Sequence, residues 1–265
     1  MYGPFGMTMD RSGLKKLIRI QRELINRFIV KEKILKYKYL VANGCSFTKG
    51  SCMIDDKDKQ LLTSPQFKKN RFSKKLSDKL NIEEINIANS GKSNDRIFRE
   101  LFYWVAENED KVKDSLFLVG LSESTRKDLY SNYLKKYIIS YEIYQDLKLI
   151  ARDFNAPLQD VEKWRNFELK YMIDEDEVEK KIIRDCVLFD SLVGGNVIFL
   201  NAWRKSDVVH PKLKFVHFDE EGYKGYNWVD FIRAYDKDWS LGHPWKSHHH
   251  RLTDIIYRFI TKGFK

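Results

Sequence analysis

"VANGCSFTKG", residues 41–50, follows an apolar run and precedes a lysine-rich polar segment. A parallel strand of an α/β domain ends in a small-residue turn of this kind, and the functional groups of such folds collect at the carboxyl ends of strands. Ser46 is therefore the first candidate for chemistry. Outward from it, strands and helices alternate. "YKYLVAN" (37–43) predicts a strand, "NRFSKKLSDKLN" (70–81) a helix and "EEINIAN" (83–89) a strand. "NDRIFRELFYWVAEN" (94–108) predicts a helix with Ile97, Phe98, Leu101, Phe102 and Val105 on one face. "SLFLVGL" (115–121) is a third strand, and mostly helical periodicity fills 127–192. "NVIFLNAW" (196–203) is a further strand, followed by an aromatic, irregular stretch and a closing helix near 251–260. Strand–helix alternation with short connections predicts an α/β fold with a parallel sheet covered on both faces.

The 265 residues, 43% hydrophobic and 14% aromatic, suit one domain with a sizeable core and an appendage. Three cysteines, Cys45, Cys52 and Cys186, are an odd number without zinc or thioredoxin spacing. That points to a reducing compartment and a cytoplasmic protein. The start "MYGPFGMTMD" lacks an apolar signal core, and no stretch reaches the roughly 18 apolar residues of a membrane span. The formal charge of +10 is concentrated: residues 1–50 hold eleven Lys or Arg against three Asp or Glu, a balance of +8. Within them "LKKLIRIQRELINRFIVKEKIL" (14–35) places Leu14, Leu17, Ile18, Leu24, Ile25 and Phe28 at helical spacing among basic residues. Residues 1–36 thus read as a basic amphipathic helical extension, and 37–265 as the domain, with a mostly helical insertion around 127–192. The extension's functional reading is docking to nucleic acid, an anionic membrane or an acidic partner protein. Its plain reading is a helix packed on the domain. No base-reading motif accompanies the charge, which sets nucleic acid aside.

"NSGKSND" (89–95) offers Gly91, Lys92 and Ser93 in the order of a phosphate-binding loop, but Asn86 stands where that loop needs its opening glycine. Nucleotide hydrolysis is not expected.

Taken together, "GCSFT" after the first strand, "NIANSGKSND" after the second, "VGLSESTR" after the third and "GHPWKSHHHRLTD" near the carboxyl end resemble, in order and spacing, the four blocks of the SGNH (GDSL-type) hydrolase family. The likeness covers residues 37–262 in outline and is closest to a branch common in bacteriophage genomes. The resemblance implies a flavodoxin-like three-layer α/β/α sandwich and a location in the host cytoplasm or the virion. It implies Ser46 as nucleophile, Gly91 as the second-block glycine, five residues after Asn86, and His243, before Pro244, as base.

Acyl-transfer chemistry asks for the same parts. A serine hydroxyl needs a base to take its proton, and the developing oxyanion needs donors. Ser46 and His243 meet the first need, and the backbone N–H groups of Ser46 and Gly91 much of the second. The chain departs from the family twice. Ser122 stands where a third-block asparagine usually completes the oxyanion hole, and Asn94 is the nearby amide that can replace it. Ser240 and Leu241 stand where an aspartate usually precedes the histidine; the nearest acids are Asp238 and Asp236, five and seven residues upstream, and the acceptor behind the ring is expected at Asp238 or a backbone carbonyl. Lys92 and Arg126 border the expected cleft as holders of an anionic substrate. His248, His249 and His250 have no ordered Cys, Asp or Glu spacing to complete a metal site, and neither metal nor cofactor is expected. The relatives often carry a histidine at the position of His249. Aromatic "GYKGYNW" (222–228), with Trp203, Trp239 and Trp245, suggests a rim for sugars. The expected function is hydrolysis of an ester, such as an O-acetylated carbohydrate. The alternative is a catalytically inactive SGNH-like binding module or virion structural or accessory protein.

Overall fold

The apolar run before the serine turn forms β1 (Tyr39–Gly44), whose five inner residues are all buried. The structure, a computed structural model, describes residues 19, 37–57, 60–140, 147–171, 174–202, 209–220, 222–237, 239 and 243–263. Apart from Arg19, the helix expected over 14–35 lies outside them, as do Trp203, Asp238, Ser240 and Leu241. After β1 come α1 (Ser46–Lys49), α2 (Ser64–Asn70), α3 (Phe72–Leu80) and β2 (Glu83–Asn86). Next are α4 (Asn94–Glu107), α5 (Glu109–Val112) and β3 (Ser115–Leu121). The helix expected over 70–81 is present as α3 and starts at Phe72, because Arg71 adopts an extended ψ of 146° between α2 and α3.

The insertion differs from the expectation at its start. Residues 127–140 form an antiparallel hairpin of β4 (Lys127–Ser131) and β5 (Lys136–Ser140). Their β-branched and aromatic residues favour a pleated pair over a helix, and Ser131 Oγ accepts the Leu134 N–H at 3.1 Å inside the turn. The helical expectation holds beyond it, in α6 (Leu147–Phe154), α7 (Leu158–Tyr171) and α8 (Glu175–Leu192). The chain continues through β6 (Val197–Asn201), the short hairpin β7 (Phe218–Glu220) and β8 (Tyr223–Gly225), α9 (Trp228–Tyr235) and α10 (Lys246–Thr261). The last helix starts before the expected 251, because His248 Nδ1 accepts the Trp245 N–H at 3.1 Å and caps it.

Four strands make one parallel sheet in the order β2-β1-β3-β6. Their side chains alternate between two cores, as the period of two in a strand requires. Leu40, Ala42, Leu116, Leu118, Ile198 and Leu200 face α3, α9 and α10. Val41, Phe117, Val119, Val197 and Phe199 face α4 and α8. Helices thus cover both faces. The chain leaves β1 on one side for β2 and returns past it to β3, so the order reverses between β1 and β3. Open α/β sheets place their crevice at the carboxyl ends beside such a reversal. Among the described residues no helix is long and apolar enough to cross a membrane.

Gly44 and Gly120 are register partners on β1 and β3, and α1 rests on both. A Cβ on Gly44 would lie 2.7 Å from Thr48 Cβ and 2.8 Å from the Gly120 carbonyl oxygen, and one on Gly120 would overlap the Thr48 hydroxyl. Gly120→Ala should therefore destabilise the fold by about 1–3 kcal/mol. Thr48→Ala should relieve that loss in the double variant, because the remaining Thr48 Cβ would stand at an ordinary 3.5 Å. Denaturant melts of the four proteins read this cycle, and additive losses would refute the proposed clash.

Candidate active site

Ser46 opens α1 directly above the end of β1. Its neighbours Cys45 and Phe47 are both 1% exposed and belong to the core, which leaves Ser46 half-buried at the surface between two anchors. The loop after β2 is stitched to the same turn. Asn89 N–H donates to the Gly44 carbonyl at 3.1 Å, Lys49 Nζ to Asn89 Oδ1 at 2.7 Å, and the Ser51 and Ser90 hydroxyls lie 2.9 Å apart. Gly91 is buried in that loop at a φ of 77°, a left-handed conformation that favours glycine. The first two blocks therefore converge at one end of the sheet.

The histidine of the last block reaches the same place from the other side. The His243 ring meets Phe47 edge-on, with centroids 5.5 Å apart. Burial lowers its pKa, and the Arg126 guanidinium lowers it further by disfavouring a second positive charge. A neutral imidazole is the form that accepts a proton. No hydrogen bond among the described residues engages either the His243 ring or Ser46 Oγ, and the ring is joined to the serine turn through Phe47. Catalytic hydrogen bonds are often long in unliganded enzymes and tighten around substrate.

Asn94, expected as an oxyanion donor, does something else. It is 4% exposed, and its Nδ2 donates to the Ser122 carbonyl at 3.1 Å and the Glu123 carbonyl at 3.4 Å, while its Oδ1 accepts the Ser122 N–H at 2.8 Å. Its amide clamps the end of β3 to the start of α4, which corrects the expectation. Ser122 itself is 1% exposed, and its hydroxyl has no hydrogen-bond partner among the described residues. A buried hydroxyl left unpaired costs free energy.

Lys92 requires a second correction. Expected beside the cleft, its side chain is 1% exposed. The ammonium donates to Asn43 Oδ1 at 2.8 Å and to the Ile87 carbonyl at 2.5 Å, and it pairs with the Glu100 carboxylate. Its three donors thus meet three acceptors, with none left over for a ligand. Burial pushes its pKa down, and Glu100 opposes that shift. Asn43 Oδ1 also accepts the Gly44 N–H at 2.9 Å, and Asn43 Nδ2 donates to the Ile97 carbonyl at 2.9 Å. Lys92 consequently braces the turn that carries Ser46. The sequence held one signal of this, a polar Asn43 inside an otherwise apolar strand. Arg126 is 6% exposed and donates from Nη1 to the Lys92 carbonyl at 3.3 Å. Of the two expected anion holders, it is the one near His243.

The acids fall differently from the expectation. Asp238 lies outside the described residues. Asp236 Oδ2 is 2.8 Å from His248 Nε2. Because His248 Nδ1 accepts the Trp245 N–H, Nε2 is the nitrogen that carries the proton and donates. His248 is 1% exposed among Tyr235, Trp239 and Trp245. His249 stacks on Phe72, and His250 Nε2 lies 3.3 Å from Asn70 Oδ1. The three consecutive histidines therefore point to three different partners, and among the described residues no group of three or more His, Cys, Asp or Glu could hold a metal ion.

The chain matches no family model and no curated protein. Lys92→Met should lower stability by about 1–3 kcal/mol, because it leaves Asn43 Oδ1, the Ile87 carbonyl and Glu100 without their shared donor. The denaturation midpoint measures this. An unchanged midpoint would return Lys92 to the role of a ligand-binding side chain.

Proposed function

We propose that the chain is a serine hydrolase of SGNH type, built on a flavodoxin-like domain over 37–265 and acting on an ester such as an O-acetylated carbohydrate. The observation that carries this reading is the convergence of a half-buried Ser46, a neutral His243 and the unpartnered Ser122 hydroxyl at the reversal of the strand order. His243 takes the hydroxyl proton as Ser46 Oγ attacks the ester carbonyl carbon. The carbonyl electron pair moves to oxygen, where the backbone N–H groups of Ser46 and Gly91 and the Ser122 hydroxyl donate to it. Collapse of this intermediate breaks the bond to the alcohol, which leaves with the proton from His243. Water then attacks the acyl-serine by the same route, releasing the acid and restoring Ser46.

Asp238 is the proposed orienting acid, since Asp236 is engaged by His248. Arg126 gives the site a preference for an anionic substrate: a negative group beside the guanidinium would offset the charge that disfavours the imidazolium. One observation favours a second reading, the inactive binding or virion accessory module: no carboxylate among the described residues hydrogen-bonds the His243 ring.

A fluorophosphonate probe should label the wild type and fail to label a folded Ser46→Ala. Ester hydrolysis should fall by several orders of magnitude in the same variant. Equal turnover by both proteins would remove Ser46 as nucleophile, and an unlabelled wild type would favour the inactive module.

The pH profile gives a separate check. The base works when neutral, so the rate falls as the pH drops through the His243 pKa. Burial and Arg126 both lower that pKa, so the acid limb should lie below the usual histidine value of about 6.5. Arg126→Met should move the limb upward, and a limb that stays in place would separate Arg126 from the base.

A further inference from the structure

The outer face of α8 carries an exposed apolar stripe that no described residue covers. Val187, Leu188 and Leu192 are 41%, 53% and 50% exposed, while Ile182, Cys186 and Phe189 on the opposite face are buried against the sheet. The first turn and a half of the same helix is acidic, with Glu175, Asp176, Glu177 and Glu179. The described domain begins beside the far end of this helix. Tyr37 Oη donates to Asn196 Oδ1 at 2.7 Å, and Asn196 lies just beyond Leu192, the last residue of α8.

We propose that residues 14–35 dock as an amphipathic helix, parallel to α8, on the outer face of α8 of the same chain. Three features select this occupant. The first is connectivity: a segment that runs into Tyr37 finishes its course at the Leu192 end of α8. The second is length, since 22 helical residues span about 33 Å and the 18 of α8 about 27 Å. The third is charge. A parallel course lays Leu24, Ile25 and Phe28 toward the stripe and carries Lys15, Lys16, Arg19 and Arg22, a stretch without acids, to Asp176, Glu177 and Glu179. An antiparallel course would separate these opposite charges. The acidic surface that the basic helix calls for is thus supplied within the chain. This inference stands apart from the hydrolase reading.

Hydrogen exchange of the full chain tests it. Amides of residues 14–35 should exchange at least about tenfold more slowly than those of an unfolded chain, which corresponds to about 1.4 kcal/mol of docking. Leu188→Lys with Leu192→Lys should abolish that protection and leave β1 and β3 unchanged, because both substitutions point outward. Arg19→Glu with Arg22→Glu should weaken the protection, and adding Asp176→Lys with Glu179→Lys should restore it. The proposal fails if residues 14–35 are unprotected in the wild type, or if the leucine variant leaves their protection intact. It also fails if protection rises with protein concentration, which would assign the stripe to a second copy.

Discussion

The approach of α1 to the ends of β1 and β3 is the constraint from which the candidate site follows. Neither Gly44 nor Gly120 carries a Cβ, and Thr48 occupies the space that two such atoms would fill. Because the turn sits this low on the sheet, Phe47 reaches into the core and meets Trp228 at 5.8 Å and His243 at 5.5 Å. Trp228 in turn packs on Phe72 and His249. One aromatic cluster therefore joins segments distant in the chain, α1, α3, α9 and α10, beneath Ser46. The positions of the serine and of the last-block histidine are both consequences of how closely two backbones can approach.

Charge at this end of the sheet is arranged around the turn as well as displayed to solvent. Lys92 and Arg126 are both buried cations, yet they act on different targets. Lys92 is fully engaged by oxygen acceptors and supports Asn43 and Gly44. Arg126 influences the ring of His243. Asp236, the described carboxylate that precedes the last block most closely, turns to His248 in a pocket of Tyr235, Trp239 and Trp245. A low-polarity surrounding strengthens that bond, and it fixes one tautomer of a histidine that has no access to substrate. Proximity in sequence and partnership in space diverge here, because a helix start rotates successive side chains by about 100°.

The sheet was legible because its strands are buried on both faces and read as continuous apolar runs. Tyr39–Gly44, Ser115–Leu121 and Val197–Asn201 all fall within stretches marked out by that pattern. The hairpin at 127–140 was not, since Lys127, Asp128 and Tyr130 interrupt any simple alternation, and the strand pair depends on the Ser131 turn. The turns that carry Ser46 and Gly91 were legible from turn chemistry, and the fold brings both to one end of the sheet. The roles of Asn94 and Lys92 were not legible. Both looked like loop residues open to a ligand, and only the tertiary arrangement supplies the carbonyls and carboxylate that engage them. An isolated sequence window carries no record of such long-range acceptors.

The bracing of the serine turn bears on how this chain can change over generations. Asn43, Lys92 and Glu100 come from a strand, a loop and a helix, yet they share one ammonium. A lineage that loses the lysine first inherits a stranded amide and carboxylate, and one that loses the asparagine first inherits a buried cation short of an acceptor. Each single step is therefore a valley, and even simultaneous replacement by apolar residues, which removes the buried charges together, takes the Asn43 side chain from the Gly44 N–H and the Ile97 carbonyl. The three positions form one heritable unit, and drift at any of them is tied to the other two.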